Sequence, residues 1–187
     1  MNILALSGSL RAASLNSALL RTAARVAPHG VQVSLCTVLG ELPLFNPDLE
    51  RCVPASVTRL RAEVADADAL LIASPEYAHG ITGTIKNTLD WLVSFEPFAN
   101  KPVAVLNASP RARHADAALR EILQTMSAVI VEAASVSIPL LGAGLSEASM
   151  AEDASITRAL RQSLDSLCGY VAARPQENGA TFPLGAS

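Results

Sequence analysis

Short apolar segments alternate with amphipathic helical patterns five times along this chain, and this alternation limits its fold more than any other feature. Residues 3–6, 69–73 and 103–106 are apolar at every position, which is typical of strands buried on both faces of a sheet. Residues 31–35 alternate apolar and polar like an edge strand, and residues 129–131 open a fifth strand region. Between these segments, apolar residues recur every three or four positions, which predicts helices. The pattern predicts an α/β fold: an open parallel sheet with helices on both faces.

Right-handed crossovers leave only a few doubly wound arrangements for such a chain. For five strands we favour the flavodoxin-like order 2-1-3-4-5, in which ligands bind at the carboxyl ends of strands 1 and 3. The loops at residues 7–16, 74–84 and 107–115 are therefore the places to search for a site. We expect one domain over residues 1–173 and a loose tail over residues 174–187, which contain two prolines and two glycines.

The composition excludes several classes of protein. Half of the 187 residues are apolar and 17% are charged, which indicates a sizeable core rather than a disordered chain. The net charge of −3 and the absence of a basic stripe argue against nucleic-acid binding. We expect no signal peptide and no membrane span. The three cysteines are far apart, which suggests reduced thiols in the cytoplasm, buried as small apolar residues. The three histidines lack metal-ligand spacing, so we expect no metal site.

The first loop carries the donors that a phosphate needs. It places Ser9, Arg11, Ser14 and Asn16 before and within the first turn of a predicted helix, whose amino end favours anions. The loop lacks the lysine of a nucleotide-triphosphate loop and the G-x-G-x-x-G pattern of dinucleotide binding, so a single phosphate monoester fits better. The alternative is that Ser14 only caps the helix and that Arg11 is only solvated.

The second loop follows the most apolar strand. Pro75 stiffens its start, and Tyr77 is an aromatic residue at the predicted binding edge. His79 is either a surface residue or an acid–base group. Glu76 is a solvated carboxylate, a helix cap or an interface residue, and the sequence does not decide among these roles.

Two motifs carry a resemblance to a known family. They read Gly8-Ser9-Leu10-Arg11-x-x-Ser14-x-Asn16 and Ser74-Pro75-Glu76-Tyr77-x-x-Gly80-x-x-Gly83-x-x-Lys86-Asn87-x-x-Asp90-Trp91. Together they resemble the NAD(P)H-dependent FMN reductase family, flavodoxin-like proteins that include quinone, azo-dye and chromate reductases. The resemblance implies FMN as cofactor, NADPH or NADH as co-substrate and a small-molecule electron acceptor.

The resemblance also implies roles for individual residues. The FMN phosphate would be held by Ser9, Arg11, Ser14 and Asn16, with the backbone of Leu10 and Leu15. The isoalloxazine ring would be lined by Pro75, Glu76, Tyr77 and His79, with Ser109 nearby. Members of the family commonly bury a helix in a dimer, and this helix would carry Lys86, Asn87, Asp90 and Trp91. A homodimer or homotetramer is therefore expected.

Four of the seven aromatic residues fall between positions 77 and 98, namely Tyr77, Trp91, Phe95 and Phe98. Because they cluster near the proposed flavin loop and dimer helix, we interpret them as a binding edge and an interface on an otherwise aliphatic core.

The sequence departs from the family at two places. His79 stands where the family often has asparagine. After Ser109 and Pro110, a run of Arg111-Ala112-Arg113-His114 replaces the usual glycine-rich stretch. Arg111 and Arg113 either attract the phosphates of NAD(P)H or are solvated charges ahead of a helix.

The favoured function is an enzyme that passes hydride from NAD(P)H through FMN to a small acceptor. The alternative is a flavin-binding electron carrier or redox-responsive binding module without enzymatic activity. Arg11 and the modest negative charge disfavour a flavodoxin-type carrier. The absence of a G-x-S-x-G motif disfavours a hydrolase.

Overall fold

The computed structural model describes residues 1–140 and 146–174. In these ranges the strands are β1 Asn2–Ser7, β2 Gln32–Leu35, β3 Ala69–Ala73, β4 Pro102–Asn107, β5 Val129–Ile130 and β6 Val136–Ser137. The helices are α1 Leu15–Val26, α2 Ala55–Asp66, α3 Gly83–Asp90, α4 Arg113–Thr125, α5 Glu147–Glu152 and α6 Ala154–Ala173.

The sheet is parallel throughout, in the order β2-β1-β3-β4-β5, which confirms the predicted flavodoxin-like topology. Ser7 pairs with Ala73, so that β1 and β3 end side by side. The predicted fifth strand is divided into β5 and β6, which both pair with β4. A short 3-10 turn at Glu132–Ala134 separates them, and the Ser135 hydroxyl accepts the Val105 N–H that the interrupted ladder leaves free.

The apolar strands face two separate cores. On β1, Ile3 and Ala5 pack toward α1, α5 and α6, whereas Leu4 and Leu6 pack toward α2, α3 and α4. Alternate residues of a strand point to opposite faces of a sheet, so a strand covered on both sides must be apolar at every position. This arrangement confirms helices on both faces.

The aromatic residues correct one interpretation. Trp91 and Phe98 are fully buried in the core under α2 and α3, and Phe95 packs against the same core. The Trp91 ring meets Phe45 edge to face, with centroids 5.0 Å apart. The interpretation of these aromatics as an interface is therefore wrong for Trp91 and Phe98. A large aromatic ring stabilises a protein through the apolar area that it buries, and these two rings bury that area inside the core of their own chain.

Other differences from the sequence prediction are local. Helix α5 was not predicted, since its six residues are too few to show a clear period. The predicted final helix is confirmed as α6. Most of the predicted loose tail, residues 175–187, lies outside the described residues. No helix within residues 1–140 and 146–174 is long and apolar enough to cross a membrane.

The cysteines differ in burial. Cys36 is buried, as predicted, and burial together with a hydrogen bond to Glu63 raises the pKa of its thiol to about 12, which makes it unreactive at neutral pH. Burial of Cys52 was predicted wrongly, because this residue follows a surface 3-10 turn and is exposed. Cys168 is half-buried on α6.

Candidate functional site

A cavity of about 420 Å³ opens at the carboxyl ends of β1, β3 and β4, the position that the predicted topology assigns to a ligand. Its size is that of a small-molecule site. All three loops singled out from the sequence contribute to it. It is lined by Ser9, Arg11, Ala13, Ser14, Leu15, Asn16, Ser74, Pro75, Glu76, Tyr77, Asn107, Ala108, Ser109, Arg111 and Ala112.

The first two loops meet at Gly8. Its N–H donates to the Ala73 carbonyl at 2.8 Å, which extends the contact between β1 and β3 into the loops. A Cβ on Gly8 would lie 2.1 Å from Ser74 Oγ and 2.5 Å from Ser74 Cβ. No side chain fits there, so glycine is required for the close approach of the two loops that shape the cavity.

The first loop is held in place by its serines. The hydroxyls of Ser7 and Ser17 lie 2.7 Å apart, and the Arg11 N–H donates to Ser9 Oγ at 3.4 Å. Ser14 Oγ accepts the Ser17 N–H at 3.2 Å and caps α1. Ser14 therefore does serve as a helix cap, and it also lines the cavity.

Asn16 is the clearest indication of a ligand. The residue is only 7% exposed, lines the cavity, and its Oδ1 has no hydrogen-bond partner among the described residues. A buried polar atom without a partner is costly and rare, which calls for a ligand group or water to satisfy it. Arg11 lies in the same wall and forms no salt bridge with any described residue.

These features fit the phosphate end of FMN. The cavity wall combines the amino end of α1, hydroxyls, an amide and the Arg11 guanidinium, which together suit a phosphate monoester. Asn16 Oδ1 adds a buried acceptor without a partner among the described residues, which a ligand hydroxyl or a water would satisfy by donating to it. The residues present therefore fit the group that the family resemblance implies.

The second loop contains a strained two-residue turn. Tyr77 and Gly80 exchange both backbone hydrogen bonds, at 3.1 and 2.9 Å. Between them Ala78 and His79 both have positive φ, at 49° and 59°. This left-handed conformation costs about 1–2 kcal/mol for a residue with a side chain, so the surroundings must hold the turn in place.

Two contacts attach this turn to the start of α4. Glu76 Oε2 accepts the Ala115 N–H at 2.9 Å, and α4 has no capping side chain of its own at Ala112. Of the three roles left open for Glu76, the structure therefore supports that of a helix cap. The His79 ring stacks on the His114 ring, with centroids 4.6 Å apart and planes 6° from parallel.

The third loop turns back into the cavity. Asn107 Oδ1 accepts the Ser109 N–H at 2.9 Å, and Ser109 Oγ accepts the Arg111 N–H at 3.3 Å. These bonds bring Arg111 into the cavity wall, whereas Arg113 lies outside the wall and is exposed.

Most of the site residues inferred from the resemblance come together in this cavity. The exceptions are Leu10, whose side chain is exposed near Gly40, and His79, which lies on the turn above the wall. The residue-by-residue inference missed Ala13, Ser74, Asn107, Ala108, Arg111 and Ala112 as lining residues. All six lie within the three loops that the predicted strand order places at the site. The strand order could therefore have been used to predict them.

Part of the proposed dimer helix, α3, already contacts another segment of the same chain. Asn87 donates to the Pro43 carbonyl at 3.0 Å and accepts the Phe45 N–H at 2.8 Å, and Trp91 Nε1 donates to the same Pro43 carbonyl at 2.8 Å. These two side chains hold the proline-rich connection against α3. Lys86 and Asp90 form an ion pair on the helix surface.

Comparison with known proteins assigns the chain to a family. The family model described as NADPH-dependent FMN reductase matches residues 1–142. The chain belongs to this family. Membership in the FMN reductase family confirms the resemblance carried by the two loop motifs.

Relatives in the FMN reductase family are similar over the same region. An NAD(P)H-dependent FMN reductase of Pseudomonas aeruginosa is 41% identical over 112 residues, which make up 58% of this chain and 60% of that protein. A quinone reductase of Escherichia coli is 34% identical over 113 residues, with the same shares. The matches thus span 60% of the length of these curated relatives.

A solved structure extends the similarity to nearly the whole chain. FerB, a flavoenzyme NAD(P)H:(acceptor) oxidoreductase from Paracoccus denitrificans, has a TM-score of 0.77 and is 26% identical. The similarity covers 91% of this chain and 97% of FerB. The predicted fold class is therefore confirmed from a structure as well as from the topology.

Proposed function

We propose that this chain is an FMN-dependent oxidoreductase that passes hydride from NAD(P)H to a small-molecule acceptor. Family membership and the names of the relatives support FMN and NAD(P)H. The observation that carries the proposal is the cavity at the ends of β1, β3 and β4, whose wall holds Asn16 Oδ1 and Arg11, the first without a hydrogen-bond partner and the second without a salt bridge among the described residues. When bound, FMN supplies the N5 centre that accepts and donates hydride.

The chain's own residues would bind and orient the cofactor. Arg11, Ser9 and the amino end of α1 neutralise and bind the phosphate. Asn16 Oδ1 would accept a hydrogen bond from the hydroxyl-bearing chain that joins the phosphate of FMN to its ring, because this atom has no other partner among the described residues. No covalent nucleophile is needed, since the protein contributes position and electrostatics to chemistry that the cofactor performs.

The ring end of the cavity would be formed by the second and third loops. Pro75, Glu76 and Tyr77 form one wall, and Ser109 lies in the other. The Tyr77 ring is 53% exposed at the mouth, where it offers an apolar face beside which a planar ligand can lie. The mouth remains open for the nicotinamide and the acceptor to enter in turn.

Reduction of the bound flavin tests the proposal directly. The purified, FMN-loaded protein should bleach in anaerobic stopped-flow when NADPH or NADH is added, and it should recover its colour when an acceptor follows. Protein that neither binds FMN nor uses it as a substrate would refute the proposal. If FMN binds but neither nicotinamide reduces it, the electron-carrier alternative holds instead.

Arg111 and Arg113 would attract the phosphates of the co-substrate. Neither forms a salt bridge with a described residue, and Arg111 lies in the cavity wall. Losing one charge-assisted contact to phosphate costs about 1.5–3 kcal/mol, so Arg111→Ala should raise the KM for NAD(P)H by about tenfold or more. Arg113→Ala, outside the wall, should have a smaller effect in the same direction.

Steady-state kinetics at saturating acceptor measure both arginine variants. Arg158→Ala serves as the control, because it removes an exposed arginine from α6, on the other face of the sheet from α4. Unchanged KM values for NADPH and NADH in both loop variants would show that these arginines are only solvated charges.

The proposal extends to the electron acceptor, the oligomeric state and the cellular location of the protein. Quinones, azo compounds, free flavin and chromate form the acceptor panel, and the quinone reductase relatives favour quinones. Exposed Leu44 (83%) and Val93 (61%) lie near α3 and support a homodimer or homotetramer, which light scattering on the eluted protein would test. The exposed thiol of Cys52 suits the reducing cytoplasm.

A further inference from the structure

We propose that His79 and His114 form a latch that joins the second loop to the start of α4 and keeps FMN in the cavity. The inference rests on the FMN binding proposed above. Both residues act by positioning the cavity wall, since neither lines the cavity itself. Both belong to the two places where the sequence departs from the family pattern.

The turn that carries His79 needs an external support. Ala78 and His79 both have positive φ, in a two-residue turn that normally contains glycine or asparagine. Such a conformation persists only when its surroundings hold it. Contacts between this turn and another part of the chain must therefore hold it in place.

The stacked imidazoles supply that support. The rings are 4.6 Å apart and nearly parallel, although one belongs to the second loop and the other to the first turn of α4. Beside them, Glu76 accepts the Ala115 N–H at 2.9 Å. The second loop thus contacts two consecutive residues of α4, His114 and Ala115. Together these contacts fix both the distance and the orientation of the loop relative to the helix.

The attachment bears directly on the cavity. Pro75, Glu76 and Tyr77 precede the turn, and Arg111 and Ala112 precede His114, and all five line the cavity. Separation of the two histidines would let the wall made by the second loop move away from the wall made by the third. Loosened walls would let FMN leave faster.

The rate at which FMN leaves the holoprotein, followed by the rise in flavin fluorescence on dilution, tests the latch. The variants are His79→Asn, His114→Asn and the double variant, because asparagine tolerates positive φ at position 79. At about pH 8, each single change should speed release about three- to tenfold, the value of an aromatic pair, and the double change should add nothing further.

The control is His29→Asn, which removes the remaining histidine from the loop before β2, at the opposite end of the sheet. It should release FMN at the wild-type rate. The proposal is overturned if the latch variants release FMN at the wild-type rate, or if the two single effects multiply in the double variant.

A second measurement separates this inference from the proposed function. Amide hydrogen exchange at Ala115 and Gly80 requires no flavin, and both N–H groups bond within or across the latched segment. His114→Asn should speed exchange at both sites about three- to tenfold. Unchanged exchange would overturn the latch even if FMN binds, and a wild-type protein that binds no FMN would refute the proposed function while faster exchange still supported the latch.

Discussion

Replacing Gly8 with alanine is expected to weaken FMN binding by about ten- to a hundredfold, because it displaces the phosphate donors and the loss of one charge-assisted hydrogen bond costs about 1.5–3 kcal/mol. The added Cβ would lie 2.1 Å from Ser74 Oγ and 2.9 Å from Ser74 Cα, and the latter is backbone that cannot rotate away. The first loop must therefore move off the second, and the phosphate donors move with it. Overpacking of this kind also costs about 1–3 kcal/mol of folding free energy.

Flavin fluorescence titration and urea unfolding measure the two consequences of the Gly8 change. Gly83→Ala is the matched control, since a Cβ at Gly83, in the same pair of motifs, meets nothing within 4 Å. A Gly8→Ala/Ser74→Gly double variant should recover part of the lost affinity, because it removes the two closest contacts. Wild-type affinity in the Gly8→Ala variant would mean that the close approach of the loops does not shape the site.

Trp91→Ala should lower the free energy of unfolding by about 3–5 kcal/mol, the usual cost of deleting a large buried aromatic side chain. The fully buried ring is lost, together with its edge-to-face contact with Phe45 and its hydrogen bond to the Pro43 carbonyl. Trp91→Phe keeps most of the ring and should cost about 1–2 kcal/mol through the hydrogen bond and the smaller volume.

Urea denaturation at two protein concentrations tests the burial of Trp91. Arg158→Ala, which removes an exposed side chain from α6, should stay within about 0.5 kcal/mol of the wild type. The loss at Trp91 should be the same at both concentrations, because the contacts are inside one chain. A loss that appears only through dissociation of subunits would instead support the interface interpretation that the buried ring contradicts.

The strand and loop patterns predicted a large part of the fold and the place of the site. β3 is apolar at every residue because it lies in the centre of the sheet with helices above and below, and such a segment is identified by local composition alone. The strand order then brings the loops after β1, β3 and β4 to one edge. For the same reason, Ser9, Arg11 and Asn16 could be predicted as neighbours of one ligand before any distance was known.

Contacts between distant segments could not be predicted in this way. The role of Glu76 depends on where the Ala115 N–H points, and the His79–His114 stack depends on the angle at which α4 leaves the sheet. The burial of Trp91 depends on a proline-rich connection that folds back over α3. None of these contacts produces a periodic pattern in the amino-acid sequence from which it could be predicted.

The amino-acid sequence by itself determined the sheet, its order and the three loops that meet at the site, whereas the cofactor class came from the resemblance of two motifs to a known family. Those features follow from local periodicity and from a small set of allowed connections, both of which can be seen in neighbouring residues. Only the tertiary structure decided which side chains face the cavity, which cap a helix and which fill the core. That choice depends on the packing of residues far apart in the chain, where a shift of about 1 Å separates contact from clash.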